Sequence, residues 1–360
     1  MECKSFFARL SAMAVALASI SVSYLPVHAT EEMPVEFYGT VTDAGQTVDK
    51  MTIDYGELDN TTIEAGSIDT ETYKVHFTST IDYGDKKDQM YAELDLPVTG
   101  VSVAGNKVTV DFDSSKASTL TWLGEGRNYP GKLNLTVEQT KNINAQTPDK
   151  RDIPITTERY EYTNTVSSYK DLHDEEVSKF EGVQADINYQ IHKGTNDSLI
   201  VWFHGNGEGD FPTKDTNNNV AQMLANRGTV AWVSDEAQQV FGDATVISFQ
   251  SPSVWYTATK DQYLEKAYNE IQQVITEQNI DPDKVYVSGC SAGGFMTTRM
   301  IIAYPDLFKA AMINCPALDV ADLRAGFVGA TPSDEELQSI KNSKTAIWLV
   351  QGETDGSVNP

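Results

Sequence analysis

The 360-residue sequence has few cysteines, few histidines and few basic residues, and each shortage excludes a class of protein. Three cysteines do not make a disulfide framework. No cluster of His and Cys has the spacing of metal ligands, so no metal or organic cofactor is implied. Lys and Arg total 27 against 52 Asp and Glu, a formal charge of −25. Because such a surface repels phosphate backbones and anionic lipids, nucleic acid and membrane surfaces are poor candidate partners.

Long apolar runs are also scarce, and the one that stands out lies at the start. Lys4 and Arg9 precede an apolar run from Leu10 to Leu25, and Val27-His28-Ala29 follows it. This order predicts a signal peptide over residues 1–29, cleaved after Ala29, and therefore a secreted protein. A membrane anchor is the alternative, but the run is short for a bilayer span and serines interrupt it.

Two cysteines remain beyond the predicted cleavage site, Cys290 and Cys315. Both fall at the ends of predicted strands and could be near neighbours. We expect buried free thiols rather than a disulfide, because unpaired cysteines are among the most often buried residues.

Residues 34–160 have strand-like alternation and no helical spacing. An alternating run from Val108 to Phe112 follows Gly105-Asn106, a pair that tolerates the positive φ of a tight turn. Tyr73–Phe77 and Leu133–Val137 alternate in the same way. Several short strands separated by turns predict an all-β sandwich of immunoglobulin-like type, although the Cys–Trp–Cys core of antibody domains is missing.

The pattern changes after a linker at residues 161–180, which is rich in Ser, Thr, Asp and Glu. Helical periodicity appears from Leu264 to Ile275 and again from Ala292 to Tyr304. Because these helices alternate with short apolar runs, residues 181–360 are predicted to form a mostly parallel, doubly wound α/β sheet covered on both faces. The predicted strands are Leu199–Phe203, Val230–Val233, Val246–Phe249, Val285–Val287, Ala310–Ile313 and Ile347–Val350.

The most informative segment is Gly289-Cys290-Ser291-Ala292-Gly293, which lies between a predicted strand and a predicted helix. A nucleophilic serine needs a sharp strand-to-helix turn, and flanking glycines leave room for it. The helix that follows directs free N–H groups and its positive dipole end at the reacting centre. We therefore predict an α/β-hydrolase domain with Ser291 as nucleophile and the Ala292 N–H as one oxyanion donor. A simple glycine–serine turn is the alternative.

A glycine-rich loop, His204-Gly205-Asn206-Gly207-Glu208, follows the first predicted core strand. Such a loop can bring backbone N–H groups to a carbonyl oxygen that becomes negative in the transition state. The Asn206 N–H is the candidate second oxyanion donor, with Gly205 its nearest rival. His204 is a candidate substrate-binding residue, although a histidine at the base of such a loop is more often structural. Glu208 is expected to order the loop.

The third motif, Gln351-Gly352-Glu353-Thr354-Asp355-Gly356, follows the last predicted strand. A carboxylate at this position orients the general-base histidine of such enzymes. Asp355 is the better candidate, with Glu353 its rival and a plain Asp-Gly turn the alternative.

No histidine follows Ser291, although the order on this fold is serine, acid, histidine. We therefore expect the sequence to be incomplete at its C-terminus, with the general-base histidine beyond residue 360. The five histidines are His28, His76, His173, His192 and His204.

These motifs, with the stretch Phe249–Trp255, resemble those of secreted bacterial carboxylesterases related to polyhydroxybutyrate depolymerases. They are also similar to the "predicted peptidase" group and to esterases that carry an N-terminal immunoglobulin-like domain. The resemblance covers roughly residues 180–360. It implies the same roles for Ser291, Asp355, Asn206 and Ala292, and it implies that Trp255 helps to wall the acyl or alcohol pocket.

The expected function is hydrolysis of a carboxylic ester, from a small molecule or a polysaccharide, through an acyl-enzyme. Peptide cleavage by the same machinery is one alternative. A binding or adhesion protein with a degenerate hydrolase domain is another.

Overall fold

The computed structural model of the protein describes residues 31–56, 58, 61–123, 126–210 and 218–358. The predicted signal peptide, its cleavage site and His28 lie outside these residues. Within the described ranges, no helix is both long and apolar enough to cross a bilayer.

The N-terminal part is built from strands, which form because apolar and polar side chains alternate between a buried and an open face. Its strands are β1 (Glu31–Thr42), β2 (Gly45–Asp54), β3 (Thr62–Ile63), β4 (Tyr73–Ile81), β5 (Met90–Asp95), β6 (Val98–Ala104), β7 (Lys107–Phe112), β8 (Leu120–Leu123), β9 (Arg127–Gln139), β10 (Ile143–Gln146), β11 (Asp152–Ile155) and β12 (Tyr160–Thr163).

Nine of these strands form one sheet in the order β5-β4-β9-β12-β1-β2-β7-β6, with β8 paired to β9, and β11-β10-β3 form a second sheet. Strand β1 joins two halves of the large sheet, because it pairs in parallel with β12 and antiparallel with β2. The predicted hairpin between β6 and β7 is confirmed, with Gly105 at φ +66° in its turn. The β-rich architecture agrees with the sequence, and its immunoglobulin-like identity stays a prediction.

The C-terminal part alternates strands with helices. Its strands are β13 (Glu181–Val183), β14 (Tyr189–His192), β15 (Leu199–Phe203), β16 (Thr245–Phe249), β17 (Val285–Cys290), β18 (Ala310–Asn314) and β19 (Ala346–Val350). Its helices are α1 (Ala221–Leu224), α2 (Asp235–Phe241), α3 (Tyr263–Glu277), α4 (Ala292–Ala303), α5 (Ala321–Ala325) and α6 (Asp334–Ser339).

The seven strands form one sheet in the order β13-β14-β16-β15-β17-β18-β19. The five strands from β16 to β19 in this order run parallel, as predicted, because helices return the chain to the same edge. Strands β13 and β14 extend the sheet in the antiparallel sense and were missing from the sequence prediction. The predicted helices are confirmed as α3 and α4.

One predicted strand is wrong, because Val230–Val233 forms a turn of 3₁₀ helix. Val230 and Val233 are buried while the two residues between them are half-buried, which is the i, i+3 spacing of a helical turn. A four-residue apolar run carries no periodicity that separates the two structures.

The two parts pack against each other over a shared apolar cluster. Val41 and Leu120 of the β-rich part contact Val220, Met223 and Leu224 of the α/β part. The guanidinium of Arg227 donates to the Val41 carbonyl at 3.0 Å, and it forms a bidentate pair with Glu176. The β-rich part is therefore fixed against the α/β part on the side that carries the glycine-rich loop.

Candidate active site

Ser291 lies on the turn between β17 and α4, with φ 56° and ψ −113°. Few non-glycine residues adopt this conformation, which costs about 1–3 kcal/mol and marks functional turns. The Ser291 N–H donates to the Asn314 carbonyl at 2.9 Å, and the Ser291 carbonyl accepts from Phe295 N–H at 3.0 Å. The residue is partly exposed, so the turn presents its side chain above the sheet. This is the geometry predicted for a nucleophile elbow.

The glycines around Ser291 are required by close packing. A Cβ on Gly293 would overlap the carbonyl oxygen of Phe203, and one on Gly289 would overlap that of Gly293. A Cβ on Gly294 would lie 2.8 Å from the Asn314 carbonyl oxygen. Helix α4 can therefore start immediately beside β15 and β18 only because these positions lack side chains.

The glycine-rich loop lies next to the elbow. A Cβ placed on Gly205 would be 4.0 Å from the Ser291 Cβ and 3.5 Å from the Cys290 carbonyl oxygen. Asn206 follows Gly205 and is exposed, whereas Ala292 is buried at the first position of α4. The fold thus brings together the loop and helix N-terminus that were predicted to supply the two oxyanion donors.

The His204 side chain is hydrogen-bonded to backbone groups that hold the glycine-rich loop in place. Its Nδ1 donates to the Gly205 carbonyl at 2.6 Å, and its Nε2 accepts from the Ser251 N–H at 2.9 Å. The side chain is 2% exposed, and Glu208 lies 3.5 Å from Nδ1. With both ring nitrogens occupied by backbone groups, His204 has the structural role given as the alternative to substrate binding.

Trp255 is placed behind the same loop. Its indole N–H donates to the His204 carbonyl at 3.1 Å, and the side chain is 1% exposed. In this position the ring supports the loop, and its predicted contact with substrate stays a prediction.

Asp355 follows β19, which lies two strands from β17 in the sheet. Its Oδ1 accepts the N–H groups of Ser357 at 2.8 Å and Val358 at 3.0 Å, and these bonds lower the pKa of the carboxyl. The rival Glu353 is exposed on the same loop.

The other described histidines are engaged elsewhere. His76 contacts Asp95 on the neighbouring strand at 2.9 Å, and the His173 ring packs against Tyr38 with the ring centroids 5.0 Å apart. His192 Nε2 lies 3.0 Å from Asp243. Within the described ranges, no histidine is therefore placed as the general base for Ser291.

Tyr256 is a site residue that sequence reasoning missed. Its ring is 2% exposed, and Arg324 lies over the ring at 5.8 Å from the centroid. Burial raises the pKa of Tyr256, while the nearby Arg324 guanidinium opposes that rise. Within the described part of the chain, this buried hydroxyl has no hydrogen-bond partner. Only the packing of residues 255–257 against α4 brings Tyr256 to the nucleophile.

The two cysteines flank the same site. Cys290 and Cys315 are free thiols, as expected, but they are half-buried rather than fully buried. Cys290 also lines a cleft, together with Gly205, Asn314, Trp202 and Met312.

Comparison with known proteins supports this description. The prolyl oligopeptidase family of peptidases matches residues 252–360. An acetylxylan esterase from Coprinopsis cinerea is 33% identical over 75 residues, which cover 18% of this chain and 20% of that protein. A poly(3-hydroxyalkanoate) depolymerase C from Paucimonas lemoignei is 49% identical over 41 residues, which cover 11% and 10% respectively. The chain thus spans a fifth or less of the length of these two curated relatives.

A thermostable esterase of known crystal structure superposes with a TM-score of 0.63 at 21% identity, over 89% of this chain and 91% of that one. At this identity the likeness establishes the fold. The chain therefore has the α/β-hydrolase fold of serine hydrolases, preceded by a β-rich domain, and is similar both to esterases and to the prolyl oligopeptidase family.

Proposed function

We propose that the protein is a secreted serine hydrolase that cleaves carboxylic esters. The observation that carries the proposal is the backbone of Ser291, at φ 56° and ψ −113° between β17 and α4. A strained serine beside a glycine-rich loop is hard to explain by stability alone, because a glycine would adopt the same turn without strain.

In the proposed mechanism, the Ser291 hydroxyl attacks the ester carbonyl and the alcohol leaves, giving an acyl-enzyme. Water then attacks the acyl-enzyme and releases the acid. The backbone N–H groups of Asn206 and Ala292 stabilise the oxyanion, each donor contributing roughly 3 kcal/mol in a dry site. Asp355 orients the general-base histidine, which takes the serine proton and returns it to the leaving alcohol.

The ester substrate is proposed from the chemistry and from the relatives. An alkoxide leaves more readily than an amine, so an ester demands less assistance from the general acid. One of the relatives is named as an acetylxylan esterase and another as a poly(3-hydroxyalkanoate) depolymerase. The match to the prolyl oligopeptidase family favours peptide cleavage as the second candidate.

A fluorophosphonate probe tests the nucleophile, with the full-length protein. We expect labelling of the wild type and none of Ser291→Ala. Ser288→Ala is the matched control. Ser288 is a buried serine on β17, the strand that leads to Ser291, and its hydroxyl donates to the Met312 carbonyl. Labelling that persists in Ser291→Ala contradicts the assignment, and an unlabelled wild type favours the binding-protein alternative.

Substrate class is tested by comparing p-nitrophenyl acyl esters with aminoacyl amides. A kcat/KM at least 10-fold higher for the esters supports the proposal, and the reverse order supports the peptidase.

Secretion is tested by N-terminal sequencing of protein recovered outside the cell. The proposal expects Thr30 as the first residue, and a chain that retains residues 1–29 contradicts it.

A further inference from the structure

Trp122 stands beside the glycine-rich loop although it belongs to the β-rich domain. It lies on β8 and is 52% exposed. A Cβ placed on Gly207 would be 3.1 Å from Trp122 Cζ3 and 3.3 Å from its Cη2, so the benzo edge of the indole lies against this glycine. Gly207 is two residues from Gly205, and two residues span at most about 7 Å. The exposed indole therefore contacts the glycine-rich loop two residues from Gly205, the glycine that adjoins Ser291.

The position of Trp122 is fixed by polar contacts around it. Across the β8–β9 hairpin, the Asn128 N–H donates to the Gly207 carbonyl at 2.8 Å. The Arg127 guanidinium donates to the Ser253 carbonyl at 3.1 Å. The β8–β9 hairpin is thus bonded both to the glycine-rich loop and to the segment at Ser253, which fixes the position of β8 beside the loop.

One further exposed side chain extends this surface. The backbone N–H of Trp122 donates to the Tyr91 hydroxyl at 3.0 Å, and Tyr91 is 41% exposed. Trp122 and Tyr91 form an aromatic ledge, the name used below, at the edge of the site.

We propose that the aromatic ledge binds the ring of a ring-bearing ester substrate and so makes the β-rich domain part of the substrate site. This inference rests on the proposed esterase function of Ser291. A half-exposed indole presents a flat, uncharged face, which stacks on a neutral ring through C–H or π contacts. The ring can be a pyranose of a carbohydrate ester or an aromatic acyl group, and these share the flat face that the ledge recognises.

The first test measures binding, so that it does not depend on turnover. Full-length Ser291→Ala protein is titrated calorimetrically with xylotriose and, separately, with benzyl alcohol. We expect one of the two to bind, and Trp122→Ala to weaken that binding about 10-fold. The ligand that responds identifies the ring. Binding that Trp122→Ala leaves unchanged, or absence of binding by both ligands at millimolar concentration, overturns the proposal.

The second test measures selectivity in the active protein. The kcat/KM ratio for a ring-bearing ester over vinyl butyrate should fall about 10-fold in Trp122→Ala and less in Trp122→Phe. Trp348→Ala is the matched control, because Trp348 is a 67% exposed tryptophan on β19. An equal loss of kcat/KM on both esters would mean that Trp122 supports the glycine-rich loop and does not bind the substrate ring. Hydrolysis that survives Ser291→Ala would refute the proposed function without affecting the binding result.

Discussion

The Sγ atoms of Cys290 and Cys315 lie 3.6 Å apart, on the turns that end two neighbouring parallel strands. A disulfide requires about 2.05 Å between sulfurs, so the two are in contact but unbonded. Burial and the neighbouring Cys315 thiol raise the pKa of Cys290 to about 12. Cys290 directly precedes Ser291, so the two thiols lie beside the nucleophile elbow.

Cys290 should resist alkylation in the folded protein. At pH 8 a thiol with a pKa of about 12 is almost entirely protonated, and the thiolate is the reactive form. We expect mass spectrometry to find iodoacetamide on Cys290 only after denaturation. Because the unfolded thiol ionises first, stability should also fall as pH rises from about 9 towards 12, and Cys290→Ser should weaken that fall. Fast alkylation of the folded protein at pH 8 contradicts this prediction.

Gly293→Ala should unfold or strongly destabilise the α/β domain. The new methyl group would overlap the Phe203 carbonyl oxygen, and α4 would have to move away from β15. We expect a loss of more than about 2 kcal/mol in the free energy of unfolding, measured with urea. Gly66→Ala is the control, because no atom lies within 4 Å of a Cβ there, and it should leave stability nearly unchanged.

Asp355→Asn should abolish most activity, whereas Glu353→Gln should not. The amide cannot stabilise the imidazolium that forms in the transition state, and such a change costs on the order of 10⁴-fold in kcat. If Asp355→Asn and Glu353→Gln lost activity equally, neither residue could be assigned as the triad acid.

The pH dependence of stability gives an independent check on Asp355. Backbone N–H donors lower its pKa, so the ionised carboxylate stabilises the fold above its ordinary pKa of about 4. This stabilisation should disappear as pH falls through the lowered pKa. The stability difference between wild type and Asp355→Asn should therefore be largest at pH 6 and decrease as the pH falls below about 4. A difference that does not change with pH over this range contradicts the shift.

Tyr256→Phe should lower kcat about 10²-fold with little change in KM. Its buried hydroxyl has no hydrogen-bond partner among the described residues and lies on the turn that packs against α4, so it is available to donate to the oxygen that becomes negative during the reaction. Tyr263→Phe is the control, because that neighbouring buried hydroxyl contacts Ser253 instead. A kcat unchanged in Tyr256→Phe would restrict Tyr256 to packing.

The sequence by itself determined those features that depend on local chemistry. The alternating runs of the N-terminal part specified β6, β7 and β9, and the periodicity from Leu264 to Ile275 specified α3. The Gly-x-Ser-x-Gly segment specified the elbow, because a strand running directly into a helix leaves a single geometry for that serine.

Only the tertiary structure decided the rest. The 3₁₀ turn at Val230–Val233 forms because packing, not periodicity, determines a four-residue run. Tyr256 reaches Phe295 on α4, and Trp122 reaches Gly207, across 39 and 85 residues of sequence. Contacts between distant segments follow from how the sheets and loops pack, and no short segment carries that information.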